Sequence, residues 1–357
     1  MSISVITEKP IDLIAAQTMI NDFLLQYAQQ ERKRAADLHP LYTRLWESIE
    51  QQIGAGGKRL RPYLVMLSYE AFGGTDKAAI LEIAGAWELL HVSMLMHDDI
   101  IDRDYMRHGV PNVAGQYLEH YAHIPDEASR RHYADSAALL AGDLVLTAAY
   151  KCVENSRFPT KDLHAALTLF HEAVFDVIGG ELLDTEATIT DVTIEPQLIA
   201  EAKTASYSLI GPLLTGATLA GAPKPTLMKL RKLGSVLGIG YQLVDDLLGI
   251  FGDQMQTGKP ANSDLAEAKR SSVVVMSLAL MSESDRAQAE RWLMTDSARH
   301  VMELRALIKA TPVKTRVREQ LDAYKEIALT IISELNLKRD YQQIFQDMVD
   351  TLLSRDA

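Results

Sequence analysis

Leu89-Leu90-His91-Val92-Ser93-Met94-Leu95-Met96-His97-Asp98-Asp99-Ile100-Ile101-Asp102 runs from an apolar segment straight into three carboxylates. The stretch belongs to a longer run, Ile80 to Asp102, with no Gly or Pro after Gly85, which predicts a long buried helix. Successive residues on an α-helix turn by about 100°, so Asp98 and Asp102 share a face one turn apart and His91 lies on the same side. Carboxylates at the rim of a buried helix repel one another and lose hydration, which is costly unless a cation joins them. A second stretch, Val244-Asp245-Asp246-Leu247-Leu248-Gly249, repeats the arrangement behind another apolar run, with Gln242 three residues before Asp245. One such pair alone reads as a solvated helix end; two in one chain favour a metal site. Hard oxygen ligands suit Mg²⁺, which takes a few carboxylates together with water and substrate phosphate oxygens. Zinc is not expected, since no Cys pair or His-x-x-x-His spacing accompanies the acids.

Outward from these clusters the pattern stays helical. Leu227 to Phe251, Ser263 to Met281 and Val313 to Leu335 resemble the first run, and strand-like alternation is scarce. Breaks fall at Gly73-Gly74, Gly109 to Pro111, Phe158-Pro159-Thr160, Gly221 to Pro225 and Gly258-Lys259-Pro260, while Pro196 suits a helix start. No linker or composition shift divides the chain, so one all-α domain over 1–357, of ten or more helices, is expected. Thr204 to Pro223 carries no charge and is long enough to span a bilayer. Its Gly, Ser and Thr content reads instead as a buried helix kinked at Pro212, and no integral membrane segment is expected.

The 357 residues include 36 Lys and Arg against 48 Asp and Glu, a net charge of -12 that argues against a nucleic-acid partner. The single Cys152 forms no internal disulfide, and the first thirty residues lack a secretory-signal pattern, so a cytoplasmic protein is expected. An acidic protein that takes a phosphate ester needs local cations. Gly56-Gly57-Lys58-Arg59-Leu60-Arg61-Pro62 provides three within four residues, and Lys58 and Arg61 would converge on a diphosphate if the segment turned helical. Arg107, Lys203 and Lys259 are further cations beside the other motifs.

Taken together these motifs resemble the trans-isoprenyl diphosphate synthases, closest in type to geranylgeranyl diphosphate synthase. The resemblance runs from about Gly54 to Lys269. It rests on the Gly56–Pro62 block, on Leu90-His91 with His97-Asp98-Asp99-Ile100-Ile101-Asp102, and on Ala141-Gly142-Asp143. Lys203-Thr204, Tyr241-Gln242-Leu243-Val244-Asp245-Asp246 and Gly258-Lys259-Pro260 with Ser263-Asp264-Leu265 complete it. It implies a single helical bundle around a deep apolar cavity, a homodimer, and Mg²⁺ as cofactor. The implied reaction condenses isopentenyl diphosphate with an allylic diphosphate by ionisation of the allylic ester. By the same resemblance, Lys58, Arg61 and His91 would bind isopentenyl diphosphate. Asp98, Asp102 and Asp245 would hold the metal ions, with Asp99 and Asp246 in support. Arg107, Lys203 and Lys259 would contact the leaving diphosphate, Thr204 would sit beside the reacting carbons, and Gln242 near the second cluster.

Four positions depart from the family's pattern. His108 stands where a second Arg is usual, Gly249 replaces a third acid, Glu181 follows Gly179-Gly180 in place of Gln, and Asn112 follows Pro111 in place of Thr. His108 would make the isopentenyl side titratable. The segment around His120 to Arg131 is longer than expected. Product length in this family depends on residues before the first acidic motif. Small Ser93, with Met94 beside it, argues against an early stop, and Trp87, about 16 Å deeper along the helix, is the candidate floor. The expected product has twenty carbons, with longer chains as the alternative. A terpene cyclase or a catalytically weak partner subunit would share the fold. The first lacks an isopentenyl site, and the second loses acids that are present here.

Overall fold

The computed structural model describes residues 10–107, 109–190, 192, 194–252, 265, 270–293 and 298–354. It is all-helical apart from one two-residue hairpin, as the sequence pattern predicts. The chain divides into two compact units, 1–167 with 215–221, and 168–214 with 222–357. Of the three crossings between them, 167/168 and 214/215 fall inside helices and 221/222 falls in a turn.

The first unit contains α1 (Leu13–Leu38), α2 (Pro40–Gly54), α3 (Leu60–Ala71), α4 (Lys77–Ile101), α5 (Val113–His120) and α6 (Glu127–Asn155). Helix α4 is its axis. Asp76 caps it by accepting from the Ala79 amide, and Ile83, Trp87 and Leu90 are fully enclosed. It packs on α6, α3 and α1. Against α6, the Ser93 hydroxyl donates to the Gly142 carbonyl at 2.9 Å. After α4 the chain forms the antiparallel pair β1 (Met106–Arg107) and β2 (Val110–Pro111), with Gly109 at φ 79 between them. Asn112 then fixes the exit: its Oδ1 accepts from Gly115 to cap α5 and its Nδ2 donates to the Asp104 carbonyl. That capping accounts for the Asn in place of Thr. The long segment between α5 and α6 is held to α2, where Arg44 donates to the Tyr121 hydroxyl at 3.0 Å. Tyr133 meets the Tyr117 and Tyr121 rings edge-on.

Helix α7 (Thr160–Ile189) leads into the second unit, which holds α8 (Pro196–Ile199), a π-helix (Ala200–Ile210) and the start of α9 (Gly211–Leu219). There follow α10 (Lys224–Phe251), α11 (Ser272–Leu280), α12 (Glu283–Leu293), α13 (Ala298–Ala310), α14 (Val313–Ser333) and α15 (Arg339–Leu353). Helix α10 packs on the π-helix, α14 and α15. The uncharged stretch beginning at Thr204 is buried through Ala205, Leu209 and Leu213, as expected. Its irregularity differs from a proline kink. The Gly211 amide bonds back five residues to Ser206, and Pro212, with no N–H to give, stands where the π-helix becomes α. Among the described residues three helices, α4, α6 and α10, are long and apolar enough to cross a membrane. In α4 72% of that apolar window is buried within the protein.

Candidate active site

The Gly56–Pro62 block splits its three cations. Lys58 is exposed and precedes α3, Arg61 is half-buried in its first turn, and Arg59 between them turns inward. Arg59 adopts the left-handed conformation (φ 48) and is 5% exposed. It pairs with Glu88 at 2.8 Å and also donates to Asn21 and to the Ile53 carbonyl. Helix α3 therefore begins after Lys58, and the left-handed turn at Arg59, not helical spacing, relates Lys58 to Arg61. His91 lies half-buried one turn beyond Glu88 on α4.

At the end of α4 the adjacent acids diverge. Asp99 is buried, 2% exposed, while Asp98 and the helix-capping Asp102 are partly open to solvent. Three carboxylates thus crowd the negative end of a helix dipole. Arg107, delivered by β1, pairs with two of them, Asp98 and Asp99. Its Nε donates to Asp99 Oδ1 at 2.8 Å, and its Nη2 to Asp99 Oδ1 at 2.5 Å and to Asp98 Oδ2 at 3.3 Å. The second oxygen of Asp99 is buried with no hydrogen-bond partner. Burial pushes the Asp99 pKa up to about 6 despite the Arg107 contact. Burial also opposes the Arg107 charge, but Asp99, Asp98 and Asp104 outweigh it and raise that pKa.

In the second unit Lys203 and Thr204 sit on the π-helix. Gly180 of α7 lets the π-helix backbone approach at Lys203, where a Cβ would collide with the Lys203 amide. Lys203 Nζ then lies 2.6 Å from Asp184 and 3.0 Å from Glu181. Thr204 Oγ1 donates to Gln242 Oε1 at 2.7 Å, and Gln242 Nε2 donates to Asp246 Oδ1 at 2.8 Å. The Ser272 amide donates to Asp246 Oδ2 at 2.9 Å, so the buried Asp246 is engaged through both oxygens. Asp245, one position earlier, is half-buried on α10.

The structure brings Arg107 to Asp98 and Asp99, and Thr204 to Gln242 and Asp246. His108 and Lys259 lie outside the described residues, as do Ser263 and Asp264. Arg59, Glu88, Asn112 and Asp184 were not singled out as site residues. For Asp184 a signal was present, since it follows Glu181 by three residues and so shares its helix face. Among the described residues no three His, Cys, Asp or Glu side chains already form an ion-holding group. The donor set nevertheless suits a hard cation completed by other oxygens: hard carboxylates at a helix's negative end, one of them with a buried, unpartnered oxygen.

A family model described as polyprenyl synthetase matches residues 43–311. The chain belongs to the polyprenyl synthetase family. Among curated members, a short chain isoprenyl diphosphate synthase of Methanocaldococcus jannaschii is 30% identical over 260 residues, 73% of each chain. A geranylgeranyl diphosphate synthase of Sulfolobus acidocaldarius is 31% identical over 249 residues, 68% of this chain and 69% of that one. A (2E,6E)-farnesyl diphosphate synthase of Mycobacterium bovis is 36% identical over 243 residues, 68% of this chain and 62% of that one. Of solved structures, a geranylgeranyl pyrophosphate synthase from Corynebacterium glutamicum, complexed with isoprenyl diphosphate and magnesium, superposes with a TM-score of 0.89. It is 26% identical, and the match covers 97% of this chain and 100% of that one. Its fold is therefore that of the polyprenyl synthetases.

Proposed function

We propose that this polyprenyl synthetase joins isopentenyl diphosphate to an allylic diphosphate, with geranylgeranyl diphosphate as the product. The observation that carries the reading is the end of α4, where Asp98, Asp99 and the capping Asp102 cluster, Arg107 pairs with the first two, and one buried Asp99 oxygen has no hydrogen-bond partner. Asp98, Asp102 and Asp245 are the residues that would hold Mg²⁺, with Asp99 and Asp246 behind them. When bound, Mg²⁺ would supply positive charge to the departing diphosphate. Asp99 holds Arg107 in place. Arg107 and Lys203, with Lys259, offer N–H donors to the diphosphate as the allylic C–O bond breaks and its electron pair leaves with oxygen. Gln242 orients Thr204 beside the carbons. Lys58, Arg61 and His91, with His108, anchor the isopentenyl diphosphate so that its double bond attacks the allylic cation. The new bond leaves a tertiary cation, which loses a proton to the released diphosphate. No side-chain base is required.

Ser93 spends its hydroxyl on α6, and Trp87, eleven positions before Asp98 on α4, is fully enclosed. On this reading Trp87 limits the chain at twenty carbons. Trp87→Ala, supplied with excess isopentenyl diphosphate, is expected to lengthen the product; an unchanged length rules it out as the floor. On α7, Phe175, Ile178 and Leu182 line one face and are 81%, 54% and 66% exposed. A second copy of the chain is the proposed cover for them, in a cytoplasmic homodimer. The helices of bridging length serve the protein's own core in this reading.

The test is incubation with Mg²⁺, isopentenyl diphosphate and a series of allylic diphosphates, followed by chain-length analysis. Prenyl products that vanish with EDTA are expected. Diphosphate release without isopentenyl diphosphate points to a cyclase, and no turnover points to a partner subunit.

A further inference from the structure

Glu181 is the departure that the reaction scheme leaves without a role. We infer that Glu181 is a positioning residue that gives Lys203 a second resting partner, and that this sets how tightly the site grips a diphosphate. The inference builds on the proposed use of Lys203 as a diphosphate ligand.

The geometry is local to α7 and the π-helix. Gly180 brings the two backbones into contact at Lys203, and the next residue on α7, Glu181, meets the ammonium through both oxygens at 3.0 and 3.1 Å. Asp184, one turn on, meets it at 2.6 Å. Two of the three N–H directions of an ammonium are thus taken by carboxylates. Asp184 alone matches the Lys203 charge, and Glu181 brings a second carboxylate to the same ammonium. A neutral amide at position 181 would accept the same hydrogen bond without adding that charge.

An incoming diphosphate must draw the ammonium from Glu181 while it meets the repulsion of an extra carboxylate. A departing diphosphate leaves more readily because Glu181 takes the ammonium back. Glu181 therefore weakens the grip on the allylic substrate and on inorganic pyrophosphate alike, and leaves the isopentenyl side alone. The three side chains are 19–24% exposed, so water screens the effect without abolishing it.

The experiment compares Glu181→Gln and Glu181→Asp with the wild type at one saturating Mg²⁺ concentration. Pyrophosphate binding is measured by titration calorimetry, and KM is measured for each substrate. For Glu181→Gln the expected result is pyrophosphate binding and allylic KM both tighter by about three- to tenfold, with the isopentenyl KM unchanged. Glu181→Asp, which keeps the charge, is expected to stay near the wild type. Equal or weaker pyrophosphate binding by Glu181→Gln overturns the inference, as does an identical gain in Glu181→Asp. A purely structural role would lower the melting temperature and disturb both substrates together. If the wild type forms no prenyl product, the proposed reaction fails, while the calorimetric comparison still judges Glu181.

Discussion

The acidic ends of α4 and α10 begin from the same local sequence, two adjacent aspartates behind an apolar run, and are neutralised differently. In each pair one acid turns inward and the other stays partly open, because neighbouring residues on a helix point about 100° apart. The buried member at α4, Asp99, is answered by a full charge, the Arg107 guanidinium, and keeps one unpartnered oxygen. The buried member at α10, Asp246, accepts from two neutral donors, the Gln242 amide through one oxygen and the Ser272 backbone N–H through the other. The first cluster keeps two carboxylates, Asp98 and Asp102, partly open to solvent. The second is a hydrogen-bonded support that ends on Thr204. A matching motif therefore specifies a matching position on the helix, and the surroundings specify the job.

The largest expected effect separates the outer acids from the inner ones. Asp98→Asn is expected to lower kcat by about 10³-fold, and Asp245→Asn to fall in the same range, by steady-state assay with Mg²⁺. If one outer acid is dispensable, the two clusters are not equivalent in function.

Next comes stability. Arg107→Met leaves Asp99 buried without its counter-charge, at an expected cost of about 3 kcal/mol in urea unfolding. Asp246→Asn keeps one of its hydrogen bonds and is expected to cost only about 1 kcal/mol. Equal costs would erase the distinction between an ion-paired and a hydrogen-bonded acid.

A pH series sharpens it further. The Asp99 pKa is raised from 3.8 to about 6, so the folded protein holds that proton more tightly than the unfolded chain. Stability from this group is then greatest below pH 3.8 and declines as pH rises through the interval up to about 6. In metal-free protein, Asp99→Asn is expected to remove that downward slope, and Asp246→Asn to leave it in place. Thr204→Val is the mildest change. It cuts the end of the α10 support and is expected to cost about 1 kcal/mol and a few-fold in kcat.

How much of this was legible depends on the range of the interaction. The helices at 77–101, 224–251 and 313–333 follow from long helical patterns with little strand-like alternation, and the inward and outward acids follow from helical periodicity alone. The partner of each inner acid lies elsewhere in the chain. Arg107 reaches Asp99 only because a hairpin reverses the backbone, and a two-residue strand carries no alternation to read. Arg59 shows the same limit. Its neighbours and spacing match those of Lys58 and Arg61, yet a left-handed backbone at that residue sends it to Glu88 in the core. Pro212 marked an irregular helix correctly, but sequence offers no sign that the extra width precedes the proline and includes Lys203.

That widened turn has a bearing on evolution and engineering. In a helix bonded five residues back, the chain holds more residues per turn than its α-helical flanks, so the phase of everything after Ile210 depends on the surplus. Removing a single residue between Ala205 and Leu209 would let the segment tighten into an ordinary α-helix. Every side chain of α9 would then swing around the axis relative to Lys203 and Thr204. Insertions and deletions there are expected to be far less tolerated than substitutions.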